Sequence, residues 1–194
     1  VIGAGVSGKN AIAVAYGMQA DVTVLDLSIA RLREIDELYH GQVKTITSNS
    51  LELEQAVLDA DLVIGAVLVP GAKAPTLVSN SLVARMKPGS VLVDIAIDQG
   101  GCFEDSHATT HADPTYQVHG SVFYCVANMP GAVPRTSTYA LTNATLPYVV
   151  ALADKGWKDA VATVPGLGSG LSTHDGLLLS DSVAAAHGYS ATTL

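Results

Sequence analysis

Short apolar runs alternate along the chain with stretches whose apolar residues recur every three or four positions, the rhythm of βαβ units around a parallel sheet. Val1-Ile2 ends a first strand and enters a glycine turn directly. Residues 9–18 place Ile12 and Ala15 at helical spacing. Residues 21–26 (DVTVLD), rich in β-branched side chains, give a second strand, residues 29–38 an amphipathic helix and residues 43–47 a third strand. Residues 50–58 read as a helix capped by Ser50, with Glu52 and Glu54 in its first turn. Residues 62–68 and 90–96 are almost wholly apolar, as strands buried on both faces are. A helix over 79–86 separates them, ended by Lys87-Pro88-Gly89, and residues 121–127 (SVFYCVA) give the sixth strand.

The pattern then changes. Residues 136–153 form one long helical stretch, begun by a Thr-Ser-Thr cluster, kinked at Pro147 and ended by Lys155-Gly156. A Gly/Ser-rich segment over 166–172 and a short helix around 182–187 complete a tail too small for a core of its own. The fold class is α/β: a doubly wound parallel six-stranded sheet over residues 1–129, followed by a helical extension over 130–194.

Composition narrows the function. Ten basic against eighteen acidic residues give a net charge of −8, the wrong sign for phosphate backbones or anionic lipid. The longest apolar run covers residues 62–69, far short of the roughly 18 residues of a membrane span. Cys102 and Cys125 are too few to staple 194 residues, which favours a reducing, cytoplasmic compartment. The chain opens without an initiator methionine on a truncated strand, so we expect residues to precede it.

Gly3-Ala4-Gly5-Val6-Ser7-Gly8 fits G-x-G-x-x-G between a strand end and a helix. Gly3 permits the tight turn, Gly5 lets a pyrophosphate approach the backbone, and Gly8 lets helix and strand pack closely. Asp26 ends the next strand about 20 residues on, where a carboxylate accepts from a ribose 2′-OH and repels a 2′-phosphate, so NAD is favoured over NADP. Arg31 and Arg33 could instead meet a 2′-phosphate, but solvated helix residues are the simpler assignment for them.

Ligands of open α/β sheets collect beyond the carboxyl ends of the strands. Asp98 stands after a purely apolar strand and before Gly100-Gly101, as a turn aspartate or as a carboxylate that orients substrate or relays a proton. His107, His111 and His119 with the two cysteines match no standard zinc spacing, so no metal is expected. Cys125 is assigned as a buried apolar residue, and Lys73 as an exposed loop lysine.

These residues carry a resemblance. VIGAGVSGKNA, VTVLD, ADLVIGAVLVPGAKAP, MKPGSVLVDIAIDQGGCFE, THADPTYQVHG and YCVANMPGAVPRTSTYALTNATLPYV resemble the cofactor-binding half of bacterial alanine dehydrogenases. The resemblance implies NAD-dependent oxidative deamination of L-alanine to pyruvate and ammonia, in a homo-hexamer. It places Val6 and Ser7 by the pyrophosphate, Asp26 and Arg31 by the adenosine ribose, and Ser48, Val67 and Leu68 around the adenine. Ile95, Ala96, Ile97 and Asp98, with Val126, Ala127, Asn128 and Met129, would line the nicotinamide, Asp98 in the catalytic-acid role. His107 falls where family members can carry a different cofactor-contacting residue.

In that family an N-terminal segment supplies the substrate-carboxylate arginine, a lysine and the catalytic histidine. None of it is in these residues, so residues 130–194 would be the connecting helix and C-terminal part of an incomplete substrate domain. The 194-residue chain alone is accordingly expected to bind NAD weakly and not to turn over alanine, which alanine-dependent NADH formation by the purified chain would contradict. Two alternatives stand beside this one. A transhydrogenase nucleotide-binding subunit shares the PGAKAP-like and Gly-Gly elements but typically lacks an aspartate at the position of Asp98. A non-catalytic NAD-binding module would keep the fold and none of the chemistry.

Overall fold

A computed structural model describes residues 1–69 and 74–192. The chain divides into two compact units, Val1–Met129 and Pro130–Leu194. In the first, helices and strands alternate as α1 (Val6–Gly17), β1 (Thr23–Asp26), α2 (Ile29–Tyr39), β2 (Lys44–Thr47), α3 (Ser50–Asp59), β3 (Leu62–Gly65), α4 (Asn80–Val83) and β4 (Val91–Asp94). A hairpin of β5 (Thr115–Val118) and β6 (Ser121–Tyr124) completes it. β1 pairs in parallel with β2, β3 with β4, and β4 with β6. Ile2 links the two groups, bridging in parallel to Leu25 on one side and Gly65 on the other. Across the sheet the order is therefore β2, β1, Ile2, β3, β4, β6, β5, a Rossmann-type α/β arrangement that reverses direction of winding at Ile2.

The alternation of side chains along β1 explains why helices cover both faces. Val24 packs in a cluster with Ile12 of α1 and Leu32 and Ile35 of α2. Its neighbour Leu25 joins a separate cluster holding Leu53 and Val57 of α3, Leu82 and Val83 of α4, and Leu92 and Phe123 of the central strands. Each face is thus sealed by its own pair of helices. Only the strand ends and the loops after them remain open.

The sheet departs from six parallel strands in two places. The first strand is a single bridging residue, Ile2. At the far edge β5 adds an antiparallel strand, residue for residue against β6 from Thr115↔Tyr124 to Val118↔Ser121. His119 takes a left-handed φ of 53° ahead of Gly120, the geometry of a tight two-residue hairpin. Helix ends shift as well. Asn49, not Ser50, caps α3, its Oδ1 accepting from the Glu52 N–H at 3.0 Å. The helix predicted over 79–86 is α-helical only at Asn80–Val83 after the Ser79 cap, and Arg85 and Met86 follow in tighter turns bonded three residues back.

In the second unit, α5 spans Pro134–Thr163 and is interrupted at Gly156, whose φ of 71° and ψ of 165° are not helical. Pro134 occupies its first turn, so the Thr-Ser-Thr cluster lies inside the helix and not at its cap. Ser137 Oγ donates to the Pro130 carbonyl at 2.7 Å. A two-residue ribbon pairs β7 (Thr173–His174) with β8 (Leu177–Leu178), and α6 (Asp181–His187) begins at a Ser180 cap. Among the described residues no helix is long and apolar enough to cross a membrane.

Candidate functional site

The glycine turn is built by contacts that only glycines allow. Gly3 has φ +103°, and a Cβ there would sit 2.7 Å from the Ala66 carbonyl oxygen. A Cβ on Gly8 would fall 1.8 Å from the Gly3 carbonyl oxygen, so α1 can lie this close to the turn only without a side chain. Around Gly5 a Cβ meets nothing within 4 Å, leaving open space where a ligand can reach the backbone. Gly5 caps α1 with no side-chain acceptor, and no acidic residue stands in the first turn. The first N–H groups of a 12-residue helix therefore face this opening with their positive dipole end.

Asp26 braces the turn from the neighbouring strand. Its Oδ2 accepts from the Ala4 N–H at 2.7 Å and its Oδ1 from the Ser28 N–H at 2.7 Å. Arg31 approaches Oδ2 at 3.7 Å from the start of α2, where Ser28 is the cap. Only 8% of its surface is exposed, and Asp26 lines the cavity in front of it. That cavity measures about 1100 Å³ and opens along the carboxyl ends of β1, β2 and β3. Gly3, Gly5, Val6, Ser7, Asp26, Arg31, Ser48, Val67 and Leu68 all line it. Gly8 lies behind, in the helix–turn contact.

The remaining candidates sit at the ends of the next strands. Ile95 continues β4, its N–H donating to the Gly65 carbonyl. Ala96 and Ile97 are buried in the core, while Asp98 is exposed in a single 3-10 turn, Ile97–Gln99. Among the described residues its carboxylate has no hydrogen-bond partner. Val126 is fully buried beyond β6, and Ala127 N–H donates to the Thr109 carbonyl. Asn128 is exposed with a left-handed φ of 55°, its carbonyl facing His111 Nε2 at 3.1 Å, and Met129 is half-buried. None of the residues 95–98 or 126–129 lines the cavity in front of Asp26, but β4 and β6 are adjacent parallel strands, so both groups share the same edge of the sheet. Lys73 lies outside the described residues.

Sequence reasoning missed two features. Asn49, Glu54 and Arg85 also line the cavity, and Arg85 Nη1 meets Glu54 Oε1 at 2.7 Å across its rim. Nothing in the sequence pairs a helix residue with one 31 positions later. The second is Asp94, which is fully buried at the end of β4. Its acidic character in an apolar strand was a signal available in VLVD. Beside it, Cys102 is pushed well above the usual thiol range by burial and then by the Asp94 charge. Burial also raises Cys125, which is not merely an apolar filler: Tyr116 Oη lies 3.4 Å from its sulfur. His107 stacks on the ring of Tyr116 with centroids 3.7 Å apart, on the sheet-edge side of this cluster.

Comparison with known proteins gives a consistent picture. Residues 1–181 match the family model described as alanine dehydrogenase/PNT, C-terminal domain. The chain is 68% identical over 184 residues to the alanine dehydrogenase of Mycolicibacterium smegmatis, covering 95% of this chain and 50% of that protein. It is 54% identical over 190 residues to the alanine dehydrogenase of Bacillus subtilis, covering 97% of this chain and 50% of that protein. Among solved structures, an L-alanine dehydrogenase superposes with a TM-score of 0.84 at 49% identity, over 96% of this chain and 52% of that one. The transhydrogenase from Sinorhizobium meliloti superposes with a TM-score of 0.64 at 31% identity, over 71% of this chain and 39% of that one. The chain spans about half the length of the relatives it matches.

Proposed function

The chain belongs to the alanine dehydrogenase/PNT C-terminal domain family, and from that membership we propose that it is the nucleotide-binding half of an NAD-dependent alanine dehydrogenase. The complete protein would convert L-alanine, NAD and water to pyruvate, ammonium, NADH and a proton. The observation that carries the reading is the pairing of an unobstructed glycine elbow with a braced carboxylate on one cavity. The space in front of Gly5 and the free N–H groups of α1 suit a pyrophosphate, and Asp26 suits a ribose hydroxyl. NAD, when bound, supplies the hydride acceptor.

The chain's own residues would hold the nucleotide and contribute one group to the chemistry. Val6 and Ser7 would hold the phosphates, Asp26 and Arg31 the adenosine ribose, and Ser48, Val67 and Leu68 the adenine. Residues 95–98 and 126–129 would form the nicotinamide side. There Asp98 would hold or move the proton that accompanies attack of water on the substrate's imine carbon. The reading carries with it a cytoplasmic homo-hexamer, to be checked by the mass of the complete protein in solution. Asp98 favours this activity over the transhydrogenase subunit and over a non-catalytic module.

The direct test is alanine-dependent NADH formation by the complete protein. Its absence would overturn the proposal. A second expected result concerns Asp26: replacing it with Ala weakens NAD binding by about 10-fold or more, since a hydrogen bond to a charged group contributes roughly 1.5–3 kcal/mol. Titration calorimetry with NAD reads this loss, and an unchanged affinity would remove Asp26 from the ribose site.

A further inference from the structure

Asp94 is a carboxylate at the heart of the sheet that the proposed reaction does not use. Its exposure is zero, and among the described residues no cationic side chain lies within ion-pair distance. Burial of a carboxylate is costly unless its oxygens are met by donors. Here they are. Oδ1 accepts from the Ala96 N–H at 3.0 Å and faces the Cys102 thiol at 3.5 Å. Oδ2 accepts from the Cys102 N–H at 2.8 Å, the Ser106 hydroxyl at 2.5 Å and, more weakly, the Phe103 N–H at 3.4 Å.

The placement of these donors matters more than their number. Ala96 stands where the chain leaves the strand, two residues after Asp94, and Cys102 and Phe103 stand where it returns. One carboxylate thus ties both ends of a loop whose apex is Asp98. Within the loop, the Gly101 and Gln99 N–H groups both donate to the Ala96 carbonyl, and Gly100 and Gly101 turn it back with φ of 89° and 76°. A Cβ on Gly101 would fall 2.8 Å from Asp94 Oδ2 and 2.6 Å from Ser106 Cβ. The second glycine of Gly100-Gly101 is therefore explained by the approach of the loop to Asp94.

We propose that Asp94, with Ser106, is a positioning residue that fixes the loop presenting Asp98 to the substrate. The inference rests on the alanine dehydrogenase reading. Misplacing a reacting group by about 1 Å can cost on the order of 10²-fold in rate, so a loop held at both ends by one carboxylate has reason to be rigid.

The test is a double-mutant cycle in the complete protein. Asp94→Asn keeps the shape but offers one acceptor oxygen where the loop uses two, and Ser106→Ala removes the short hydroxyl bond without leaving a polar atom in its place. Each is expected to lower kcat by about 10-fold or more while NAD affinity changes by no more than a few fold, because the glycine elbow and Asp26 are left as they are. Each is also expected to displace the pH profile of kcat, and Ser106→Thr, which keeps the hydroxyl, to restore both. Combined with Asp98→Asn, neither is expected to reduce kcat further, because each acts through the group already removed.

Wild-type kcat and pH profile in both single variants would overturn the inference. So would full additivity with Asp98→Asn, which is what a purely structural role gives. If Asp94→Asn does not fold, Ser106→Ala and its cycle with Asp98→Asn decide. An inactive wild-type protein would instead sink the alanine dehydrogenase reading, an outcome distinct from an active wild type with indifferent variants.

Discussion

Asp98→Asn in the complete protein lowers alanine turnover by about 10²- to 10⁴-fold, the usual contribution of a positioned acid or base, and changes NAD affinity by no more than a few fold. The substitution is nearly isosteric and the side chain is exposed, so folding is not at stake. Asp98 stands at the apex of a loop anchored at both ends, without a hydrogen-bond partner among the described residues. A carboxylate spared from structural duty, at the edge of the sheet where ligands gather, is available for proton transfer. An amide there neither takes nor gives the proton. Steady-state NADH formation and NAD titration on the same preparation read the two quantities separately. Turnover within a few fold of wild type would remove Asp98 from the chemistry and favour a non-catalytic nucleotide-binding module.

The second large effect concerns Gly8. In Gly8→Ala the new methyl would lie 1.8 Å from the Gly3 carbonyl oxygen, far inside van der Waals contact with a backbone atom. Relief requires α1 to move off the turn. Overpacking commonly costs about 1–3 kcal/mol, and a clash with backbone belongs at or above the upper end. We therefore expect a loss of about 3 kcal/mol in chemical denaturation, with NAD binding lost as the elbow spreads. Gly5→Ala is the matched control, because a Cβ there meets no protein atom. Its stability should stay close to wild type while NAD affinity falls. Equal stability of the two variants would contradict the packing account.

Much of this site is legible in the sequence because it depends on local chemistry. G-x-G-x-x-G at a strand–helix junction has few other uses, and the carboxylate at the end of the following strand completes the pattern. The nine cofactor candidates that line one cavity come from such local signals and from the resemblance. The structure adds what depends on partners distant in the chain. Asp94 is legible as an acid in an apolar strand, but its role requires knowing that the chain returns at Cys102 and Ser106. The hairpin partner β5 was also within reach, since Thr115-Tyr116-Gln117-Val118 alternates and His119-Gly120 is a turn pair. It escapes a reading tuned to buried parallel strands because one face of an edge strand is polar. The capping error at α3 has a simple origin: Asn49 and Ser50 are both good caps, and only the backbone geometry chooses between them.

The two oxygens of Asp26 are committed to the Ala4 and Ser28 amides before any nucleotide arrives. Engineering the domain to accept a phosphorylated dinucleotide would ordinarily begin by neutralising that acid. Here such a change releases two main-chain donors, and the buried Ala4 amide costs roughly 1–3 kcal/mol when left unsatisfied. Asparagine, with a single acceptor oxygen, can serve only one of them. A successful redesign must therefore re-anchor the turn first and alter its charge second.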